Sequence, residues 1–152
     1  MQGVYVLLIE KIQFSNIMIG KLGVFNFPKG IYLYVGSALG IGSSTTIENR
    51  LKRHFTINKK NFWHIDYLLF DKYTKLVTAY YGETNLKLEC DFLQALKKFD
   101  EITIQIKQFG SSDCKKGCGS HLLYSNLLDK HQMFQYIKKS FNSINIFFKK
   151  YK

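Results

Sequence analysis

Residues 30–54 read Gly-Ile-Tyr-Leu-Tyr-Val-Gly-Ser-Ala-Leu-Gly-Ile-Gly-Ser-Ser-Thr-Thr-Ile-Glu-Asn-Arg-Leu-Lys-Arg-His, a strand, a glycine turn and a helix in succession. Ile31, Leu33 and Val35 alternate with Tyr32, Tyr34 and Gly36, the period of a half-buried strand with aliphatic side chains on one face and phenols on the other. Gly36, Gly40 and Gly42 end the strand, and Ser43-Ser44-Thr45-Thr46 offers hydroxyls for an N-cap. Ile47, Leu51 and Phe55 then recur at helical spacing, with Arg50 and His54 four residues apart on one edge of that stripe. Phenol, guanidinium and imidazole groups are therefore expected close together.

The chemistry of this helix stands out against the rest of the chain. Of the 22 Lys plus Arg residues only Arg50 and Arg53 are arginine, so a fixed fork rather than a bare positive charge is wanted there. The formal charge of +11 and isoelectric point near 9.5 favour a polyanionic partner, with nucleic acid as the usual candidate. The length of 152 residues suits one domain with a substantial core. Three cysteines, an odd number, with no secretion-type leader, argue against a disulfide framework and for an intracellular, cytoplasmic setting. No apolar run approaches the ~18 residues that a membrane span requires.

The remaining segments fill in the fold. Residues 3–9 are apolar and β-branched enough for a central strand, with Tyr5, Leu7 and Ile9 on one side and Val4, Val6 and Leu8 on the other. After a polar break, residues 17–25 give a second strand pattern, and Phe27-Pro28-Lys29-Gly30 turns back into the Tyr34 strand, an antiparallel three-stranded meander. Residues 62–70 form a short aromatic helix carrying the single Trp63, His64, Asp66 and Tyr67. Residues 75–81 read as a strand. Thr84 caps a helix running to about residue 99, whose buried arc holds Leu86, Leu88, Phe92, Leu93, Ala95, Leu96, Phe99 and, unexpectedly, Glu89. A buried carboxylate requires a cation, either a metal ion or Arg50, unless it is paired with a lysine at the helix edge. Ile102, Ile104 and Ile106 alternate as an edge strand over residues 101–108. Cys114, Cys118 and His121, with Cys90, have zinc-ligand chemistry, but their spacing matches no strong zinc pattern and a glycine-rich loop with partly buried thiols is expected. A lysine-rich amphipathic helix closes the chain near residues 127–141.

These residues carry a resemblance. Gly3-Val4-Tyr5, Tyr34-Val35-Gly36-Ser37 and Asn49-Arg50-Leu51-Lys52-Arg53-His54 resemble the signature of the GIY-YIG endonucleases, and Phe27-Pro28-Lys29-Gly30, Trp63-His64-Ile65-Asp66-Tyr67, Glu89-Cys90 and Ser111-Ser112-Asp113-Cys114 are similar to its Uri-type branch. Gly30-Ile31-Tyr32 also spells the first motif, but it shares a strand with Tyr34, whereas the family's two tyrosines come from neighbouring strands; Gly3-Val4-Tyr5 is the better assignment. The resemblance implies an α/β (α+β) fold, a small, mainly antiparallel sheet flanked by helices. An extra N-terminal hairpin strand is expected, with residues 1–126 as the nuclease-like domain and 127–152 as a helical extension packed on it.

It also implies a metal-dependent endonuclease acting on DNA, with RNA as the alternative polymer, in a setting such as DNA repair. Tyr5 or Tyr34 would take the proton of the attacking water, with His54 or His64 assisting, Arg50 would clamp the phosphate, and Glu89 would hold Mg2+ or Mn2+. Lys52, Arg53, Lys59 and Lys60 are suited to flanking phosphates. A phenol titrates near 10, so a phenolate at neutral pH requires a shift of about 3 units, and activity rising toward about pH 8 to 9 is the expectation. The competing reading is a catalytically silent nucleic-acid-binding module of the same fold.

Overall fold

The computed structural model describes residues 1–41, 45–111 and 117–152. Strand β1 (Gly3–Lys11) is the centre of a five-stranded antiparallel sheet. It pairs on one side with β4 (Gly30–Ala38), which pairs with β6 (Leu122–Ser125), and on the other with β5 (Thr74–Glu83), which pairs with β7 (Phe148–Lys150). A separate hairpin joins β2 (Ser15–Ile19) to β3 (Gly23–Phe27). The helices are α1 (Ile47–Phe55), α2 (His64–Phe70), α3 (Glu89–Lys97) and α4 (Lys130–Ser143). Among the described residues no helix is long and apolar enough to cross a membrane.

The alternation of β1 and β4 divides the interior in two. Val4, Val6, Leu8, Ile31, Leu33 and Val35 face α3 and α4, meeting Phe92, Leu93, Met133, Ile137 and Phe141. Tyr5, Leu7, Ile9, Tyr32 and Tyr34 face α1 and α2, meeting Ile47, Leu51, Ile65 and Leu68. Both faces of the central strands are covered, which is why β1 reads as a nearly continuous apolar run. Helix α1 is capped by Thr46, whose hydroxyl accepts from the Asn49 N–H at 3.3 Å; Gly42, Ser43 and Ser44 lie outside the described residues. In α4, Asp129 and Gln132 form a reciprocal capping box, and Met133, Ile137 and Phe141 repeat every four residues along the buried stripe.

Several expectations are corrected. The meander is not formed: residues 17–25 split at a 3-10 turn, Gly20–Leu22, that opens on Gly20 and is followed by Gly23, both at positive φ, so β2 and β3 fold on themselves against α2 and β1 pairs directly with β4. Residues 101–108 make one bridge, Thr103 to Tyr124, instead of a strand. Ile102 enters one core and Ile106 the other, whereas a flat strand would send both to the same face. Helix α3 begins at Glu89 rather than near Thr84, whose hydroxyl accepts from the Leu86 N–H in a turn, and Leu86 is exposed. The tail adds β7 as an edge strand. Lys11, read as part of a polar break, is buried; its ammonium donates to the Gln13 carbonyl, Ser15 Oγ and Asp71 Oδ2, tying the end of β1 to the start of β5.

Candidate active site

A cleft of about 400 Å³ opens at the end of the sheet where β1 begins and β4 finishes. Because the site is at an end rather than on a face, both helical layers reach it. Tyr5 comes from β1, Tyr34 from β4, Arg50 from α1, His64 from the start of α2 and Glu89 from the start of α3, and all five line this cleft. Gly36, Ser37, Phe62, Trp63, Lys87, Gly110 and His121 complete it. Two glycines make room for the phenols. A Cβ on Gly36 would lie 2.6 Å from the Tyr5 ring, and one on Gly110, at φ +68°, would lie 2.8 Å from the Tyr34 ring.

The two arginines of the chain meet its only tryptophan. The Arg50 and Arg53 guanidinium carbons lie 4.9 Å and 4.3 Å from the centroid of the Trp63 ring. Planar guanidinium groups suit such stacking better than an ammonium. Their remaining bonds differ. Arg53 forks onto Asp66, Nη1 and Nη2 each donating at 2.8 Å, and the same carboxylate accepts from the Phe62 and Trp63 N–H groups. Asp66 is fully buried; burial would raise its pKa, but the Arg53 fork and the two N–H donors hold it below the usual carboxylate value. Arg50 makes no ion pair among the described residues, and its buried Nε has no hydrogen-bond partner.

The expected phosphate-holding set is therefore divided. Arg53 is engaged in the Asp66 fork, and half-buried Lys59 donates to the Arg53 and His54 carbonyls, closing the C-terminal end of α1. Lys52 and Lys60 are exposed. His54 does not line the cleft but lies directly behind it, with Nε2 2.8 Å from Tyr5 Oη and its ring against Tyr5, Tyr34 and Trp63. Burial, aided by the Lys59 charge, pushes its pKa down to about 3, so His54 is a neutral ring. His64 Nδ1 accepts from the Gly110 N–H at 2.9 Å, and its pKa is lowered by burial. The neutral His64 therefore carries its proton on Nε2 and offers a donor rather than a base.

The phenols also depart from expectation. Burial pushes the Tyr5 pKa up to about 12, against the opposing charge and hydrogen bond of Arg50, and Tyr34 is raised further by burial and by Tyr5. Both are protonated at neutral pH, the reverse of the shift a resting phenolate requires. Glu89, at the first turn of α3, is buried as the helical wheel placed it. Its Oε1 lies 3.9 Å from the Lys87 ammonium, and its Oε2 is buried without a hydrogen-bond partner among the described residues. An exposed lysine at that distance leaves most of the carboxylate's demand unmet.

Residues 4–146, from the second residue of β1 to beyond the end of α4, match the family described as a domain of unknown function, DUF123. The chain belongs to the DUF123 family. No curated protein and no solved structure matches it. Every residue lining the cleft falls inside the DUF123 stretch.

His121 was missed as a lining residue of this DUF123 chain. Only its nearness to Cys118 marked it in the sequence, whereas the structure brings it to the cleft because its carbonyl accepts from Val35 N–H at the end of β4. Phe62, 76% exposed at the rim, and Lys87 were also unmarked. The expectation of unbridged thiols is corrected: Cys90 and Cys118 form a disulfide, with Cα atoms 5.9 Å apart. Neighbouring spacing could not show this pair, since the residues are 28 apart and meet only because α3 packs under the loop before β6. Cys114 lies outside the described residues.

Proposed function

We propose that this protein is a metal-dependent endonuclease that hydrolyses phosphodiester bonds in DNA. One observation carries the reading: Arg50 and Glu89, of opposite charge, line one cleft, and among the described residues neither Arg50 Nε nor Glu89 Oε2, both buried, has a hydrogen-bond partner. A phosphate satisfies the first and a cation the second. Glu89 fits a hard divalent ion, which takes one or two carboxylates and keeps several waters. Mg2+ or Mn2+ held there would lower the pKa of a bound water and offset charge on the phosphate.

The chain's own groups supply the rest. The Arg50 fork holds the non-bridging oxygens as charge accumulates on them. Tyr5, protonated and bonded to His54, orients the attacking water and does not begin as a phenolate. His64 Nε2–H is available to an oxyanion. The exposed Phe62 ring gives a base displaced from the duplex a surface to stack on. The resemblance to GIY-YIG endonucleases supports the same assignment, with DNA repair in a cytoplasmic compartment as its setting.

Plasmid nicking with Mg2+ or Mn2+ tests this directly. Wild type should nick, and Glu89→Gln and Arg50→Ala should each lose about 10²-fold or more. Tyr5→Phe should lower the rate without moving the pH profile, because burial raises both cleft phenols, Tyr5 and Tyr34, out of the working range. The second reading, a silent binding module, is favoured by the raised phenol pKa values; intact plasmid with wild type that still binds it would establish that reading instead.

A further inference from the structure

Cys90, Cys118 and His121 cluster at the cleft, which His121 lines, and each has one ligand-type atom within 4.8 Å of the others. All three are buried, at 6%, 3% and 6% exposure. His121 Nε2 is buried with no hydrogen-bond partner among the described residues, on an imidazole that stands beside the two sulfurs. The Cα separation of 5.9 Å suits two sulfurs joined to each other and also two sulfurs sharing a tetrahedral ion at about 2.3 Å each. We propose that Cys90, Cys118 and His121 form a thiol-gated Zn2+ site, occupied when the cysteines are reduced and abolished when they are joined as the disulfide.

The exchange balances. A dithiol reductant gives two electrons and two protons to the Cys90–Cys118 disulfide and is itself oxidised to a disulfide. The two thiols then release their two protons as Zn2+ binds the thiolates with neutral His121. In a reducing compartment the bridged form is disfavoured and the ligand form prevails. Softness separates this site from the carboxylate of Glu89: thiolate and imidazole select zinc, whereas a carboxylate suits Mg2+ or Mn2+. The two sites are nonetheless coupled by position, since Glu89 precedes Cys90 at the start of α3 and His121 lines the cleft. Zinc occupancy does not rest on the nuclease reading.

The test equilibrates full-length protein with Zn2+ under dithiol or under oxidant, removes free metal by gel filtration and measures bound zinc by elemental analysis. Reduced wild type should retain about one zinc per chain and the oxidised protein almost none. Cys118→Ser should lose the metal and His121→Ala should weaken it by about 10-fold or more, while Glu89→Gln keeps it. Co2+ added to reduced wild type should give a thiolate-to-metal charge-transfer band, which keeps the test decisive if the variants fail to fold. Reduced wild type without zinc or without that band overturns the proposal, as does full retention by Cys118→Ser. A nicking failure with zinc bound would count against the nuclease alone.

Discussion

Arg50 and Arg53 are three residues apart on one helix and stack on one indole, but they should respond to mutation in opposite ways. Arg50 has no ion pair among the described residues and a buried, unpartnered Nε. Arg50→Lys should therefore cost about 10²-fold in nicking while leaving stability within about 0.5 kcal/mol of wild type. Arg53→Ala strips the fully buried Asp66 of its fork and should destabilise by about 3 kcal/mol. Urea midpoints beside nicking rates distinguish the two; equal loss of stability would place Arg50 in the framework. The histidines set the pH response. His54 is held at about 3 when folded, whereas the unfolded imidazole titrates near 6.5. The unfolded chain binds the extra proton between these values, so stability is complete above about pH 6.5 and falls by about 1.4 kcal/mol per pH unit below it. His64 and His121, also lowered by burial, add to the same loss. Asp66, held below its ordinary value, contributes a further loss that begins only below about pH 4. A urea midpoint unchanged between about pH 7 and 5 would contradict the His54 assignment.

At the scale of elements, the close approach of β4 to β1 at Gly36 is the feature on which the cleft geometry depends. A methyl group there would stand 2.6 Å from Tyr5 Cζ and Oη, so Gly36→Ala must displace the ring. It should cost about 1–3 kcal/mol and reduce nicking to near the Tyr5→Phe level. The doubly substituted Gly36→Ala/Tyr5→Ala chain should be destabilised by less than the sum of the single changes, measured by urea unfolding. The elements easiest to read in the sequence were those whose period is uninterrupted: the alternation in β1 and β4, the Ile47 and Leu51 spacing in α1, and the tail helix. Periodicity set Tyr5 apart from Val4, Val6 and Leu8, set Tyr34 apart from Ile31, Leu33 and Val35, and placed Glu89 inside; that the two phenols share one face came from the structure. It failed where a segment serves two cores, as Ile102 and Ile106 do, and where a glycine pair folds one apparent strand into a hairpin. Burial energetics were not legible at all. The sequence shows that Lys59 and Arg53 are cations but not that a carbonyl pair and a buried carboxylate already occupy them, and it offers phenols without the desolvation that raises their pKa.

For the whole molecule, the formal charge of +11 overstates how much of the basic surface is available at the cleft. Arg53 and Lys59 are committed to internal partners, which leaves Arg50 and Lys87 in the cleft lining and the exposed Lys52 and Lys60 as the remaining cations of the expected set and the cleft. Four phosphate contacts on duplex DNA give a slope of about −3.6 for the logarithm of affinity against the logarithm of salt, and about −2.8 on a single strand. Long-range attraction from the remaining lysines adds to the rate of encounter more than to this slope, because salt screens it beyond about 10 Å. Filter binding or anisotropy over a salt series measures the slope. Lys52→Ala should reduce its magnitude by about 1, whereas Lys59→Ala should leave it unchanged because that ammonium is already held by two helix carbonyls. If Lys59→Ala flattens the response as much as Lys52→Ala does, the C-terminal end of α1 opens on binding DNA, and the cleft is assembled by its substrate rather than in advance of it.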